Sequence, residues 1–257
     1  MIYADNILTT FSQKYAKDLT LCCYGEDAIN YAEDFEFTDY HIKKYQNNIV
    51  DNINYIQNKN VLDIGSNTGL WAVLMHLNGA KSVTCIEPRQ QFSDGINKFA
   101  KLHDLPIVSH NALHNHVYNL NEKFDTTVMM GVDDIIPDVI PFLGKLQNIS
   151  DYLLLKTKNT DSSVDKNSIK ITANENNFKH RAGFHVNTDI NDCTGYGYQS
   201  DFEKFLNNDI SGKFIRCHYG KNFYESLFEY FGYEILDFRN KDTTDNVFFK
   251  YYSVKLK

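Results

Sequence analysis

The chain has 257 residues, 42% of them hydrophobic, with 18 Phe, 17 Tyr and a formal net charge of -7. Length and apolar share exclude a disordered chain and suit one α/β domain with an appendage better than two independent domains. The acidic balance disfavours a general nucleic-acid binder, which would present a basic field to phosphates.

Segment 158–220 is locally neutral, with eight Lys or Arg against eight Asp or Glu, so the acidic excess lies outside it. The five cysteines, Cys22, Cys23, Cys85, Cys193 and Cys217, form no CxxC pair. Their odd count suits free thiols in a reducing compartment, so a cytoplasmic location is expected. The first twenty residues contain no continuous apolar run, and neither a signal peptide nor a membrane span is expected there.

The stretch up to about residue 58 is aromatic and acidic. Ile42, Tyr45, Ile49, Ile53 and Ile56 recur at three- or four-residue steps, which predicts an amphipathic helix with one face laid on the adjoining domain. This region, 1–58, is expected to be a helical cap on a domain spanning 59–257. From residue 60 short apolar runs alternate with helical patterns, predicting βα units and a mainly parallel sheet. Strands are expected at 60–64, 82–86, 107–109, 126–130 and 152–157, with helices at 70–78, 92–103 and 135–147. Pro137 and Pro141 leave the start of the last helix open, because proline is tolerated in a first turn and disrupts an interior.

The alternation then fails across 158–220, a length that predicts a functional insertion or lid between strands 5 and 6. A helix at 222–231, ended by Gly232, precedes strands at 233–238 and 247–256, expected as an antiparallel closing pair.

The first strand runs into a turn with Gly65 and Gly69 and then a helix, so backbone amides there can face a polar or anionic ligand. Asn67 suits the same turn because Asn tolerates left-handed backbone geometry. About twenty residues on, the second strand ends at Glu87, whose carboxylate can accept hydrogen bonds from both hydroxyls of an adenosine ribose. Strand, turn, helix, strand and terminal acid in this order predict a nucleoside-binding unit.

Val61-Leu62-Asp63-Ile64-Gly65-Ser66-Asn67-Thr68-Gly69 resembles motif I of the class I S-adenosylmethionine-dependent methyltransferases, and Cys85-Ile86-Glu87-Pro88 resembles their ribose-binding acidic motif. The resemblance implies a Rossmann-like α/β fold with a seven-stranded, mostly parallel sheet, helices on both faces and S-adenosyl-L-methionine as cofactor. It implies that Asp63 holds the methionine end of the cofactor, that Gly65, Ser66, Asn67 and Gly69 form its bed, and that Asn111 and Ala112 lie near the adenine. Phe124-Asp125-Thr126-Thr127-Val128-Met129-Met130-Gly131-Val132 resembles motif IV, which brings Met130 and Gly131 to the same site. The stretch most resembles methyltransferases reading GVLYH there, but Asp133-Asp134-Ile135 comes next in this chain and the aromatic and histidine are missing. The NPPY-type motif of base and glutamine N-methyltransferases is also absent.

Methyl transfer from a sulfonium needs positioning more than acid–base chemistry, so a general base is optional. The candidates for one are Asp133, Asp134, His185 and His218. Asp133 and Asp134 more often would be the cap and first-turn acid of the helix expected at 135, and each histidine is by default an ordinary surface or hydrogen-bonded residue. Glu87 has a bland reading too, as a helix-start acid. Lys179-His180-Arg181 either is solvated or holds a substrate anion, and Tyr196, Tyr198 and Tyr219 either pack or line an acceptor pocket. No metal is expected, because Lys156-Thr157-Lys158-Asn159 stands where a metal-dependent relative would place an acid-amide pair. The expected partner is a small-molecule acceptor, methylated at oxygen or nitrogen. A tRNA or protein acceptor, a non-catalytic cofactor-binding protein and an NAD-dependent oxidoreductase are the alternatives; the four-residue glycine spacing disfavours the last.

Overall fold

The computed structural model describes residues 7, 9–25, 39–133, 136, 139–160, 169–175, 213–219, 223–242 and 247–256. Nine strands fall within these: β1 (Asn60–Ile64), β2 (Ser82–Ile86), β3 (Ile107–His110), β4 (Phe124–Met130), β5 (Ser150–Thr160), β6 (Ile169–Glu175), β7 (Lys213–Tyr219), β8 (Glu234–Asp242) and β9 (Val247–Lys255). Seven form one sheet in the order β3-β2-β1-β4-β5-β9-β8, while β6 and β7 pair separately. β1 with β2 and β2 with β3 run parallel; β9 is antiparallel to both β5 and β8. This is the expected Rossmann-like sheet with its antiparallel closing pair. The chain divides into two compact units, 1–128 and 129–257, with the cut inside β4.

In the first unit, β1 and β2 bury four of five residues each, which is why they read as continuous apolar runs. Helix α1 (Ala16–Tyr24) comes after a π-type turn at Phe11–Tyr15, and α2 (Asp39–Asp51) runs to a 3-10 turn at Ile53–Tyr55. The expected amphipathic helix thus ends at Asp51, while Ile42, Ile49 and Ile56 are buried as the spacing required. Helix α3 (Leu70–Leu77) receives α2 through Tyr45 against Trp71, ring centroids 4.9 Å apart, and through a reciprocal amide pair between Gln46 and Asn78.

Helix α4 (Gln90–His103) receives α1 in the same way: Tyr15 lies edge-on to Phe99, Tyr24 edge-on to Phe92, and the Gln91 amide donates to the Cys23 carbonyl at 2.6 Å. Gly95 makes this close approach possible, since a Cβ there would lie 2.8 Å from the Cys22 carbonyl oxygen and from Cys23. Helix propensity favours Ala over Gly by about 1 kcal/mol, but forcing a backbone carbonyl and a helix to move costs about 1–3 kcal/mol. Gly95→Ala is therefore expected to lower the melting temperature despite the better helix former, as thermal denaturation will show; a rise would mean that α1 shifts freely.

In the second unit α5 spans Val139–Lys145 and continues into a 3-10 turn at Leu146–Asn148, shorter than the helix expected from 135. Pro141 falls in its first turn, where the missing N–H forfeits no helical bond. Helix α6 (Phe223–Phe231) precedes β8. Strand β5 extends to Thr160, beyond the expected 157, because β9 pairs with it from Tyr152↔Lys255 to Thr160↔Val247. Within 158–220, read from sequence as patternless, Ile169↔Tyr219 through Glu175↔Lys213 form an antiparallel ladder. Partners 38 to 50 residues apart leave no local signature. The rest of that segment, including His185, the Lys179-His180-Arg181 run, Tyr196 and Tyr198, lies outside the described residues, as does Asp134.

Candidate functional site

The acidic groups of the first unit sit at the carboxyl ends of adjacent parallel strands, where ligands of open α/β sheets bind. Asp63, the penultimate residue of β1, pairs in register with Cys85 of β2. The turn after β1 uses left-handed backbone at Gly65 (φ 73°), Asn67 (φ 53°) and Gly69 (φ 82°), which explains the glycines and the choice of Asn between them. A Cβ at Gly69 would lie 2.7 Å from Ile96 Cγ1, so the turn also needs glycine for its fit against α4.

Much of the turn's hydrogen bonding is internal. The Gly65 amide donates to the Ile86 carbonyl, the Gly69 amide to the Ser66 carbonyl, and the Ser66 hydroxyl to the Asp63 carbonyl at 2.9 Å. Cys23 of α1 donates its thiol to the Thr68 carbonyl, so the N-terminal helix braces the turn. Ser66 therefore shapes the bed from a buried position.

Asp63 is 2% exposed, and its Oδ2 has no hydrogen-bond partner among the described residues. Burial, opposed by Ser66 and reinforced by the nearby Glu87 charge, raises its pKa to about 7. A buried acceptor lacking a donor is what a ligand ammonium or amide would satisfy. Glu87 is 1% exposed and accepts from the Asn67 amide at Oε2 (2.7 Å) and from both the backbone N–H (3.0 Å) and Nε (2.7 Å) of Arg89 at Oε1. Asn111 donates to the Pro88 carbonyl at 2.8 Å, and the Ala112 amide to the Glu87 carbonyl, which ties the end of β3 to the acidic loop. The structure thus brings Asp63, Gly65, Ser66, Asn67, Gly69, Glu87, Asn111 and Ala112 into one half of the molecule. Arg89 was not among the sequence candidates; a cation two residues after a strand-end acid was the available signal.

The second unit holds Met130 and Gly131, whose amide donates to the Lys156 carbonyl at 2.9 Å. Asp133 is 0% exposed, and its Oδ2 accepts from the Thr157 and Tyr224 hydroxyls, both at 2.6 Å. Its carboxylate thus ties the end of β4 to β5 and α6. Nearby, Tyr252 donates to Glu225 at 2.7 Å, and burial together with that bond pushes the phenol far up. His218 lies in β7 opposite Lys170. No cluster of His, Cys, Asp and Glu suited to a metal occurs among the described residues, and none of their helices is long and apolar enough to cross a membrane.

A seven-stranded sheet of this order, with a glycine turn after β1 and an acid directly after β2, defines a class I methyltransferase fold. A methyltransferase-domain family model matches residues 41–237, more than half the chain, and the chain belongs to that family. No curated protein matches the sequence. The N-terminal domain of EvdMO1, crystallised with SAH and D-fucose, superposes with a TM-score of 0.56 at 13% identity, covering 82% of each chain. Magnesium protoporphyrin IX methyltransferase (ChlM) from Synechocystis PCC 6803, with bound SAM, superposes at 0.52 and 10% identity over 99% of this chain and 97% of that one. These likenesses are of fold. The cofactor that class membership implies is S-adenosylmethionine, and the donor-seeking Asp63 and the terminal Glu87 fit its ammonium and its ribose.

Proposed function

We propose that the chain transfers a methyl group from S-adenosylmethionine to a small-molecule acceptor, at oxygen or nitrogen. The observation that carries the cofactor half is the pair Asp63 and Glu87 on adjacent strand ends, one buried acceptor without a donor and one acid held by the glycine turn. When bound, the cofactor supplies a methyl group already activated on positive sulfur. The chain has then to orient it and exclude water. Asp63 holds the methionine ammonium, Glu87 the ribose, Asn111 and Ala112 the adenine side, and Met130 and Gly131 the motif IV side. Residues 1–58 serve as the cap, and His185, His218 and Asp134 remain the candidates for a base.

The acidic net charge supports the small-molecule acceptor over tRNA. The burial of Asp133 and its two hydroxyl partners favour one second reading, a cofactor-binding protein without transfer, because they leave one base candidate buried and already engaged.

Calorimetry with S-adenosylmethionine, its demethylated product and NAD tests the first half. The two sulfur compounds are expected to bind and NAD not to. Glu87→Gln is expected to weaken binding roughly tenfold to a hundredfold, the worth of a hydrogen bond to a charged group. Failure of both sulfur compounds to bind sinks the reading. For the acceptor, label from a methyl-tritiated cofactor is expected in the low-molecular-weight fraction of a cell extract; label confined to RNA or protein points to the alternative acceptors, and none at all to the binding protein.

A further inference from the structure

The Glu87 carboxylate carries its own internal ligand. Its Oε1 accepts two hydrogen bonds from Arg89, the backbone N–H and Nε, and its Oε2 accepts one from the Asn67 amide. The circuit closes because Arg89 Nη2 donates to Asn67 Oδ1 at 2.7 Å. The guanidinium carbon also lies 4.0 Å from the centre of the Phe92 ring, and the Arg89 side chain is only 12% exposed. Carboxylate, amide and aromatic face together hold the cation on three sides.

A carboxylate offers about four lone-pair sites, two per oxygen. Among the described residues three are taken, and both of those on Oε1 go to Arg89. A ribose diol brings two O–H donors. Only one of them has an acceptor waiting on Glu87; the second requires a donor of Arg89 to leave. The Nε bond is the one able to yield, because the backbone N–H is fixed at the start of α4 while the guanidinium ends a side chain of several rotatable bonds.

We propose that Arg89 is a specificity-determining latch on the nucleoside site, so that a ligand carrying both ribose hydroxyls binds by displacing the Arg89 guanidinium from Glu87. The proposal rests on the reading of this turn as the S-adenosylmethionine site. Displacement costs a charge-assisted bond of 2.7 Å, which binding must repay each time. The latch also discriminates. A ligand with one hydroxyl, or with none, has no means of pulling Nε away and is left with the single open acceptor. It also keeps the buried carboxylate partnered when no nucleoside is present, which an acid serving only as a ribose acceptor would not be.

The test is calorimetry of S-adenosylhomocysteine, and of its 2′-deoxy and 3′-deoxy analogues, with the full-length wild type, Arg89→Met and Arg89→Lys. Met retains an unbranched apolar side chain and removes the donors; Lys retains the charge and cannot span Glu87 and Asn67. Arg89→Met is expected to bind S-adenosylhomocysteine roughly tenfold or more tightly than wild type, from the release of a hydrogen bond to a charged group. Arg89→Lys is expected to fall between them. The gain is expected to shrink for at least one deoxy analogue, since the missing hydroxyl no longer needs the place of Nε. A residue that merely braced the loop would shift all three ligands alike and toward weaker binding.

Equal or weaker binding by both variants, or an equal gain for all three ligands, overturns the latch while leaving the cofactor site intact. If wild type and variants all fail to bind, the cofactor reading falls with it. Should Arg89→Met not fold, the direction of the Arg89→Lys change against wild type decides.

Discussion

Asp63→Asn is expected to make the protein more stable above pH 7 and to weaken its hold on S-adenosylmethionine by roughly a hundredfold, the cost of removing one partner from a buried charge pair. The two effects share one cause. Asp63 is 2% exposed with Oδ2 unmatched, and burial raises its pKa to about 7 from an ordinary carboxylate value of 3.8. Between about pH 4 and pH 7 the folded chain keeps a proton on this group that the unfolded chain has already released. Stability therefore falls as the pH rises through that window, and the loss is complete above it. About three pKa units correspond to a destabilisation on the order of 4 kcal/mol.

Asparagine is isosteric and never ionises, so it recovers part of that cost. Recovery of about 2 kcal/mol raises the melting temperature by roughly 4–8 °C in a chain of this size. Melting curves between pH 4 and 8 are expected to converge for wild type and variant at low pH and to separate at high pH. Superimposed curves would show that Asp63 is not strained by its burial. In the wild type, cofactor affinity is expected to rise about tenfold per pH unit below pH 7 and to level off above it, because only the ionised carboxylate pairs with an ammonium. Calorimetry in two buffers of different ionisation heat will show proton release on binding near pH 6.5. A pH-independent affinity would detach Asp63 from the ligand.

Asp133→Ala is expected to destabilise the protein by about 3–5 kcal/mol. The substitution removes the common acceptor of the Thr157 and Tyr224 hydroxyls, both 1% exposed, and each stranded hydroxyl costs about 1–3 kcal/mol. Tyr224→Phe removes one donor of the pair and is expected to cost about 1–3 kcal/mol, the worth of a hydrogen bond to a charged group. Urea denaturation measures both. Because their partner is shared, the losses in the double variant are expected to fall short of their sum. The outcome that would reverse this assignment is an Asp133→Ala protein of wild-type stability that binds cofactor and transfers no methyl group, the signature of a general base.

The range of the forces involved separates the parts of this molecule that were written locally from those that were not. The turn is local: Gly65, Asn67 and Gly69 need left-handed backbone, and only residues that tolerate it occupy those places. The burial of β1 and β2 on both faces is local too, since it appears as unbroken apolar runs, and so is the placement of Glu87 directly after β2. Those features were enough to predict the sheet and the nucleoside unit. The extension of β5 to Thr160 and the ladder between β6 and β7 were not legible, because polar residues such as Lys158, Asn159 and Asn174 become strand only through partners far along the chain.

The site divides in the same way. The sequence alone determined that Asp63 and Glu87 stand at the ends of neighbouring strands. Tertiary structure alone decided what each carboxylate is. Burial makes Asp63 a weak acid in want of a donor, the Asn67 amide and Arg89 fill three of the acceptor places on Glu87, and the Thr157 and Tyr224 hydroxyls engage the buried Asp133. A side chain's type is local information. Its solvent and its partners are supplied by residues from elsewhere in the chain, and they set its chemistry.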